Sequence, residues 1–375
     1  MATGIDKAAG IDKVYAGQRV FLTGHTGFKG SWLALWLTDM GAQVTGYSLD
    51  VPTNPAAFDL MHLGNDLTDE RGEIADPAAV LAAMRAAAPS IVFHLAAQPI
   101  VRKGFSDPYG TFATNVMGTA AVLEAARQLP TVAAVVVITS DKVYQNAGDV
   151  WPFRETDRLG GHEPYGASKA AAEIVTDVYR AASFHRAAGS ANAPQIATAR
   201  AGNVIGGGDW AADRLIPDFV RAIASGRNQL IRQPRATRPW QHVLEPLGGY
   251  LMLGAALLAK QAGLPGALNF GPSEKAMPDV ATVGQAFLDG MAPTSTVMEI
   301  REDPHSGEAA TLRVDSSLAA QHLGWHPTWG VSRAVAETAA WYRAHLAGGA
   351  DMRAVSLAQL HAYRTQSPVA ALHRG

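Results

Sequence analysis

Tyr165 and Lys169 form a candidate pair for general acid–base chemistry. They lie four residues apart at the start of a predicted helix over 165–188, so both fall on one helical face. A neighbouring ammonium group favours the phenolate form of tyrosine, and an oxidised nicotinamide would add to that effect. Tyr165 can then act as a general base on a sugar or alcohol hydroxyl. The alternative is that this spacing has no catalytic meaning, because it also occurs in many ordinary helices.

Three polar residues, Ser140, Asp141 and Lys142, follow the most strand-like run of the chain, AAVVVIT at 133–139. This continuous, β-branched run predicts a central parallel strand, and α/β sheets bind ligands beyond the carboxyl ends of such strands. There Ser140 could hydrogen-bond a sugar hydroxyl, Asp141 could donate a proton, and Lys142 could act as a base or an electrostatic partner. The alternative is that these residues only close a strand into a turn.

A glycine-rich segment near the N-terminus predicts the element that would hold a nucleotide cofactor. A short apolar strand over 19–23 is followed by Gly24, Gly27 and Gly30, and then by a helical apolar pattern. In a dinucleotide-binding turn, such glycines allow the tight turn, the approach of a pyrophosphate and close helix–strand packing. The spacing is G-x-x-G-x-x-G rather than G-x-G-x-x-G, so an ordinary glycine-rich turn is the alternative. A Walker A loop is excluded because Lys29 precedes Gly30.

Strands and helices alternate between residue 19 and about residue 200, which predicts an α/β fold with a Rossmann-type doubly wound parallel sheet. Further predicted strands cover 42–49, 90–95, 133–139 and 195–200, and predicted helices cover 77–87, 111–129, 165–188, 215–224, 247–261, 280–289 and 331–343. The later region is richer in Pro, Gly and Trp, which predicts a smaller C-terminal α+β substrate-binding domain. We therefore predict a mobile extension over 1–17, a cofactor domain over 18–200, and a mainly substrate-binding domain over 201–375. Some elements of the last can return to the cofactor domain.

Composition and charge limit the function classes. With 375 residues, 48% apolar content and a formal charge of −2, the chain is typical of a soluble globular protein of about two domains. It lacks the basic excess that a nucleic-acid surface needs. Cysteine is absent, which excludes disulfides and thiolate metal sites, and we expect no metal centre. We find no signal peptide and no apolar span of about 18 residues, so we expect no membrane segment and a cytoplasmic location.

Several longer stretches give the chain a family resemblance. GHTGFKGSWL (24–33), HLAAQP (94–99), NVMGT (115–119) and the Tyr-x-x-x-Lys pair together resemble the extended short-chain dehydrogenase/reductase superfamily. Within it, GHTGFKGSWL and five further stretches resemble the CDP-glucose 4,6-dehydratases: ITSDKVY (138–144), RAGNVIGGGDWAADRLIPD (200–218), RPWQHVLEPLGGYL (238–251), NFGP (269–272) and LGWHPTWG (323–330). The likeness runs from about residue 18 to residue 343, nearly the whole chain.

This resemblance implies a reaction and a role for each catalytic residue. Tyr165 and Lys169 match the pair that removes the proton from the 4-hydroxyl of the glucose while hydride leaves C4 for NAD. Asp141, with Ser140 beside it, matches the acid that protonates the departing C6 hydroxyl. Lys142 stands where dTDP-glucose dehydratases carry the glutamate that takes the C5 proton, and as a base it would have to be neutral. Hydride then returns to C6, so the implied product is CDP-4-keto-6-deoxyglucose and the net reaction is loss of water.

The resemblance also implies which residues bind the two ligands. For the cofactor they are Gly24, His25, Thr26, Gly27, Phe28, Lys29, Gly30, Asp50, Glu73, Ile74, Ala96, Ala97, Gln98, Asn115, Tyr165 and Lys169. For CDP-glucose they are Asn203, Arg214, Arg232, Arg238 and His242, with packing in the second domain as the alternative for His242. Asp50 has support of its own, because it lies 20 residues past Gly30, where an acidic residue binds an adenosine ribose. Residues 47–49 hold no arginine for a 2′-phosphate, which favours NAD over NADP.

Two helices predict a homodimer. The predicted helices over 111–129 and 165–188 carry apolar positions at helical spacing, and such helices pair across a two-fold axis in many members of the superfamily. The implied product also suggests deoxysugar biosynthesis for lipopolysaccharide O-antigen.

Two alternatives on the same fold stay open. One is another nucleotide-sugar 4,6-dehydratase or a 4-epimerase, and the other is a non-catalytic NAD-sensing protein. An epimerase needs the tyrosine and the lysine but no further acid–base group, so Ser140, Asp141 and Lys142 favour dehydration. A sensing protein is disfavoured because Tyr165 and Lys169 are both present.

Overall fold

A seven-stranded parallel sheet forms the centre of the protein, for which a computed structural model describes residues 10–146, 148, 151–181, 184, 193–273, 277–301 and 312–371. The strands described are β1 Arg19–Thr23, β2 Gln43–Ser48, β3 Thr68–Arg71, β4 Ile91–His94, β5 Ala134–Ile138, β6 Gln195–Ala201, β7 Val204–Ile205, β8 Gln229–Ile231, β9 Gln241–His242, β10 Ala267–Phe270 and β11 Met298–Ile300. The large sheet has the order β10-β6-β5-β4-β1-β2-β3. The chain runs outward from β1 to β3 and then returns to β4, so a crevice opens at the carboxyl ends of β1 and β4. The predicted Rossmann-type sheet is confirmed.

The helices cover both faces of this sheet. Those described are α1 Gly10–Tyr15, α2 Phe28–Asp39, α3 Ala57–Leu60, α4 Pro77–Ala87, α5 Val101–Ser106, α6 Pro108–Phe112, α7 Gly118–Gln128, α8 Pro164–Arg180, α9 Leu215–Ala224, α10 Leu244–Leu258, α11 Val280–Gly290, α12 Ser317–Leu323, α13 Val331–Ala347, α14 Met352–Arg364 and α15 Pro368–Ala371. A π-helical turn at Ala113–Met117 joins α6 to α7, and 3₁₀ turns cover Leu63–Asn65 and Asp141–Val143. No helix in the described ranges is both long and apolar enough to cross a membrane.

Side chains alternate between two cores along the central strands. In β4, Ile91 and Phe93 enter the larger core, while Val92 enters the smaller core on the other face. In β5, Val136 enters the larger core and Val135 enters the smaller core. Because both faces of a parallel sheet are covered, these strands read as continuous apolar runs rather than alternating ones. This burial fixes the strand ends that carry the candidate site.

The N-terminal segment departs from the sequence prediction. Residues 10–17 were expected to belong to a mobile extension, but residues 10–15 form α1. Ile11 and Tyr15 are buried in the larger core, and the Tyr15 hydroxyl donates to the Leu251 carbonyl oxygen at 2.7 Å. The expectation is therefore wrong for residues 10–17, because this burial, the hydrogen bond of Tyr15 and an ion pair between Asp12 and Arg364 hold the short helix against the rest of the protein. Residues 1–9 lie outside the described part of the chain.

Elements from beyond residue 201 return to the sheet. Strand β10 pairs in parallel with β6, and α10 packs against β5 and β6. The remaining C-terminal elements form a smaller unit with two short parallel sheets, β8 with β11 and β7 with β9. The helix predicted over 111–129 consists of α6, the π-helical turn and α7. The helix predicted over 165–188 ends at Arg180, and residues 182, 183 and 185–188 lie outside the described ranges.

Candidate active site

A cavity of about 1750 Å³ opens at the carboxyl ends of the central strands. Part of its wall is formed by the loops that follow β1, β2, β4 and β5, and another part by residues within 201–218 and 229–240. Single small-molecule sites usually measure about 300–1,000 Å³, so this cavity has room for a cofactor and a substrate together.

The glycine loop leads from β1 to α2 and faces this cavity. Gly24 adopts a φ of +76°, and a Cβ atom at Gly30 would lie 2.0 Å from the carbonyl oxygen of Gly24, so the tight turn requires glycine at both positions. Helix α2 begins after Gly27 and has no side-chain cap. Its first residues, including Phe28, line the cavity, which leaves first-turn N–H groups available to an anion. The loop therefore fits a dinucleotide pyrophosphate.

A second part of the cavity lies past the end of β2. Asp50 lines it with a side chain that is 96% exposed, and Glu73 and Ile74 line it from the loop after β3. Arg71, at the end of β3, donates to the carbonyl oxygen of Leu49 at 2.9 Å and lies 3.9 Å from Asp50. Sequence reasoning examined residues 47–49 for an arginine and missed Arg71, which the pairing of β2 with β3 brings there.

Helix α8 presents the tyrosine and the lysine to the cavity. Its N-cap, Glu163, accepts hydrogen bonds from the backbone N–H groups of Tyr165 and Gly166 at 2.7 and 2.8 Å, which fixes the first turn. Lys169 Nζ donates to the Ile138 carbonyl oxygen at 3.1 Å, and burial lowers the pKa of Lys169 to about 8. Burial raises the pKa of Tyr165 to about 12, while a hydrogen bond with Ser140 acts in the opposite direction. The spacing that suggested this pair does place both residues in one cavity wall.

The polar residues after β5 lie in the same wall. The Ser140 hydroxyl donates to Asp141 Oδ1 at 3.0 Å and accepts from the Lys142 N–H at 3.2 Å. Asp141 is only 2% exposed, and its Oδ2 has no hydrogen-bond partner. Burial raises the pKa of this carboxyl, and the charge of Lys142 opposes the rise. A buried carboxyl with a free oxygen and a raised pKa is suited to hold and deliver a proton.

Basic residues line the rest of the cavity. Arg214 donates to Asp209 at 2.9 Å, and this carboxylate raises the pKa of the guanidinium. Arg232, Arg238 and Asn203 line the cavity together with Arg214. Guanidinium groups bind diphosphates with paired hydrogen bonds, so this region suits the phosphates of a nucleotide-sugar.

Lys29, in the glycine loop, carries a charged side chain into the cavity. Its side chain lines the cavity and donates to the Tyr250 hydroxyl at 3.3 Å. Burial and the positive charge of Arg214 lower its pKa to about 8, and the carboxyl of Asp141 opposes that shift.

Three predicted ligand-binding side chains do not line the cavity. His242 is buried between Trp32 and Trp329, with ring centroids 6.1 and 5.0 Å away, and burial lowers its pKa to about 3. The packing alternative is therefore correct for His242. His25 lies in the glycine loop, but its ring is turned inward and pairs with Asp69 at 2.8 Å.

Asn115 is the third such residue. It accepts from the Gln98 N–H at 2.8 Å and donates to Ser168 Oγ at 2.8 Å, so it supports the cavity wall from behind. Gln98 itself lines the cavity, together with the other predicted cofactor residues Thr26, Ala96 and Ala97.

Besides Arg71, two residues near the site were not predicted from the sequence. Tyr250 holds the ammonium group of Lys29, but the two are 221 positions apart and no local pattern connects them. Glu173 is fully buried one helical turn beyond Lys169, so the spacing of four residues was a usable signal.

Comparisons with known proteins give the chain close relatives. Residues 21–259 match a family whose description is GDP-mannose 4,6 dehydratase. A CDP-glucose 4,6-dehydratase of Salmonella typhimurium is 44% identical over 344 residues, which cover 90% of this chain and 94% of the relative. A dTDP-glucose 4,6-dehydratase of Xanthomonas campestris is 26% identical and covers 86% of this chain and 92% of its own length.

Solved structures share the fold at lower identity. A UDP-glucose 4-epimerase of Thermotoga maritima has a TM-score of 0.72 at 20% identity, over 87% of this chain and 99% of the other. A dTDP-glucose 4,6-dehydratase of Streptomyces venezuelae, crystallised with NAD, also has a TM-score of 0.72, at 22% identity over 86% and 96% of the two chains. Because dehydratases and an epimerase match equally well, these structures support the fold alone.

Proposed function

The chain belongs to the GDP-mannose 4,6 dehydratase family, and from that premise we propose that it is an NAD-dependent CDP-glucose 4,6-dehydratase, a hydro-lyase. The observation that carries this proposal is the buried carboxyl of Asp141, whose Oδ2 is unpartnered, in the same cavity as Tyr165 and Lys169. A tyrosine–lysine pair alone would also serve a 4-epimerase, whereas loss of water needs a further proton donor. The relative with 44% identity supports CDP-glucose as the substrate.

NAD is the cofactor that we propose. The glycine loop would hold its pyrophosphate at the N-terminus of α2, and Asp50, Glu73 and Ile74 would surround the adenosine. When bound, NAD supplies the acceptor for hydride from C4 of the sugar and the donor of hydride to C6. The carboxylate of Asp50 favours a ribose hydroxyl over a phosphate there, which supports NAD over NADP.

In this proposal the chain's own residues move the protons. Tyr165 takes the proton of the 4-hydroxyl, and the positive charge of Arg214 favours the phenolate that this step needs. Lys169, four residues later on the same face of α8, would add a second positive charge beside it. Lys142 takes the proton from C5, and Asp141 protonates the hydroxyl that leaves C6 as water. When hydride adds to C6, Lys142 returns its proton to C5, so that water is all that the substrate loses. Ser140 donates to Asp141 Oδ1, which leaves Oδ2 as the oxygen that would carry the proton for the leaving group.

The substrate lies, in this proposal, between the sheet and the C-terminal unit. Residues 18–200 hold the cofactor, and residues 201–375 mainly hold the nucleotide-sugar, through Asn203, Arg214, Arg232 and Arg238. Nucleotide sugars and NAD are metabolites of the cytoplasm, where we place the protein. A ketosugar of this kind is a precursor for deoxysugars such as those of lipopolysaccharide O-antigen.

We also propose a homodimer through the helices from α5 to α8. This surface exposes several large apolar side chains, namely Phe105, Tyr109, Phe112, Met117, Ile174 and Val178. Large exposed apolar side chains on helices that pack against one another are typical of an interface. Light scattering at micromolar concentration should give twice the monomer mass of 39.5 kDa, and a monomeric mass would contradict the dimer.

A product assay tests the function. Purified protein with NAD is given CDP-, dTDP-, GDP- or UDP-glucose, and loss of one water is followed by mass spectrometry, with Tyr165→Phe as the control. We expect turnover of CDP-glucose, abolished in the variant. Turnover of another nucleotide instead would contradict the substrate, and interconversion at C4 without water loss would establish the epimerase alternative.

A further inference from the structure

We propose that Glu173 is a positioning residue for the reaction, which holds the end of strand β5 against helix α8 and keeps Lys169 positively charged. The proposal rests on the proposed function for the roles of Tyr165 and Lys169. Glu173 follows Lys169 by four residues and Tyr165 by eight, so the three side chains lie on one face of α8. Glu173 is fully buried, and such a carboxylate needs a specific reason to be there.

Both carboxylate oxygens of Glu173 accept two hydrogen bonds each. Oε1 accepts from Thr139 Oγ1 at 2.5 Å and from Arg200 Nε at 2.9 Å. Oε2 accepts from Thr198 Oγ1 at 2.7 Å and from Arg200 Nη2 at 2.8 Å. Four donors, two of them from one guanidinium group, stabilise the charged form in a site that water does not reach.

This contact fixes Thr139, which lies two residues before the proposed acid Asp141. Thr139 directly precedes Ser140, and Ile138 before it accepts a hydrogen bond from Lys169 Nζ at 3.1 Å. Helix α8 therefore holds two successive residues at the end of β5, one through Lys169 and one through Glu173. Lys169 and Glu173 thereby set the distance between the proposed acid Asp141, which follows β5, and the proposed base Tyr165 on α8. Small displacements between reacting groups lower the reaction rate strongly.

The charge of Glu173 acts on Lys169 as well. The charge of Glu173 acts on Lys169 from the same helix, and Lys29 from α2 and His94 from β4 also interact with Lys169. Tyr165 lies four residues before Lys169 on the same face of α8. Glu173 is the carboxylate among these four groups, and its charge raises the pKa of Lys169 against the lowering by burial. Without it Lys169 would lose its proton at lower pH, and Tyr165 would lose the cation that favours its phenolate.

Arg200 completes the network on the far side. Its Nη1 donates to the Tyr144 hydroxyl at 2.9 Å, and that hydroxyl donates to Asn269 Oδ1 at 2.7 Å. The network thus also joins β6 to β10, so a loss of Glu173 affects stability whether or not it affects the reaction. The tests below therefore use readouts that a purely structural role would not move.

The first test measures the charge of Lys169 by NMR of protein labelled with ¹³Cε-lysine, with the Lys169 signal identified by its absence in Lys169→Met. In Glu173→Gln we expect the Lys169 pKa to fall by about one unit. Because this variant leaves Arg200 buried without its partner, the double variant Glu173→Gln with Arg200→Gln is measured too. It also removes the positive charge of Arg200, so the Lys169 pKa should fall in the same direction but by less. An unchanged Lys169 pKa in folded Glu173→Gln would overturn the proposal, and this result does not depend on the substrate.

The second test measures the pH profile of kcat for the dehydration. Glu173→Gln should move the alkaline limb to lower pH by about one unit, and the double variant should move it in the same direction by less. Glu173→Asp keeps the charge, so it should lower kcat and leave the limb where it is in the wild type. A wild type without turnover would contradict the proposed function. An active wild type whose limb stays in place in Glu173→Gln would contradict the role of Glu173.

The third test separates position from stability with a matched pair. Thr139→Val and Thr198→Val each remove one hydroxyl from the same carboxylate, but only Thr139 adjoins Ser140. We expect Thr139→Val to lower kcat about tenfold at nearly unchanged KM, and Thr198→Val to lower it much less, at similar losses in melting temperature. Equal losses of kcat in the two variants would contradict the positioning role.

Discussion

Replacing Asp141 by asparagine tests the proposed proton donor with a minimal change of shape. Asp141 is 2% exposed, its Oδ1 accepts from Ser140, and its Oδ2 is unpartnered. Asparagine can keep the hydrogen bond to Ser140, so we expect the free energy of unfolding to change by about 1 kcal/mol or less. The amide cannot act as a general acid, a role that contributes about 10²–10⁴ in rate. We therefore expect kcat to fall by that factor, which is about 3–5 kcal/mol of activation free energy.

Rapid mixing with CDP-glucose separates the two halves of the reaction in this variant. Tyr165 and Lys169 are unchanged, so oxidation at C4 should proceed and the absorbance of reduced nicotinamide should accumulate. Mass spectrometry should show almost no product that is lighter by one water. The matched control is Asp213→Asn at the cavity rim, where the carboxylate pairs with Arg102 at 2.8 Å. The φ of +61° at this position is one that asparagine tolerates, so its kcat should stay within about twofold of wild type.

A folded Asp141→Asn protein that dehydrates CDP-glucose at more than about a tenth of the wild-type rate would contradict the role of Asp141 as proton donor. Such a result would mean that another group protonates the leaving hydroxyl. Equal losses in Asp141→Asn and Asp213→Asn would show a general effect of charge in the cavity instead of an acid at one position.

Three further predictions concern the cofactor loop, the core and the substrate side. A Cβ at Gly30 would lie 2.0 Å from the Gly24 carbonyl oxygen, so Gly30→Ala should weaken NAD binding at least tenfold and lower the melting temperature by several degrees; unchanged cofactor titrations would contradict this. Burial raises the pKa of Glu245 to about 7 from its ordinary 4.5, so the folded state retains a proton that the unfolded chain releases. The free energy of unfolding should therefore fall by about 3 kcal/mol as pH rises from about 4.5 to 7. In denaturant titrations Glu245→Gln should remove that part of the fall, and the same pH dependence of the unfolding free energy in both proteins would contradict this. Arg214→Lys keeps the positive charge but loses the paired hydrogen bonds to a diphosphate. Steady-state kinetics should therefore show that KM for CDP-glucose rises about tenfold with a smaller change in kcat, and a change confined to kcat would contradict a role of Arg214 in substrate binding.

Local signals in the sequence were enough for much of the fold. The helix predicted over 77–87 has the observed bounds, because Asp76 caps it and Pro77 occupies its first turn. The helix predicted over 215–224 also has the observed bounds. The central strands were predictable because continuous apolar runs of that length fit strands covered on both faces.

Tertiary contacts decided what the sequence could not. The π-helical turn that interrupts the helix predicted over 111–129 contains Asn115, which bonds to Gln98 and Ser168. Such a partner cannot be read from helical periodicity. Helix α1 is held by Tyr15, whose acceptor is 236 residues away, so composition alone suggested a mobile segment.

In the candidate site, too, motifs predicted some residues and tertiary contacts placed the others. Motifs placed Asp141, Tyr165 and Lys169, and the structure brings all three into one cavity wall. Arg71 and Tyr250 reach the site only through the sheet register and through long-range packing. His242 was placed among the substrate residues because a motif contains it, yet in the fold its ring points into the core.

Mass spectrometry with CDP-glucose carrying deuterium at C4 tests whether the enzyme removes water and moves hydride from C4 to C6. We predict a product that is one water lighter than the substrate, that carries the deuterium at C6, and that forms with no net consumption of NAD. A product that is one water lighter but has lost the deuterium would contradict the return of hydride to C6. Recovery of an unchanged mass with altered stereochemistry at C4 would contradict dehydration itself.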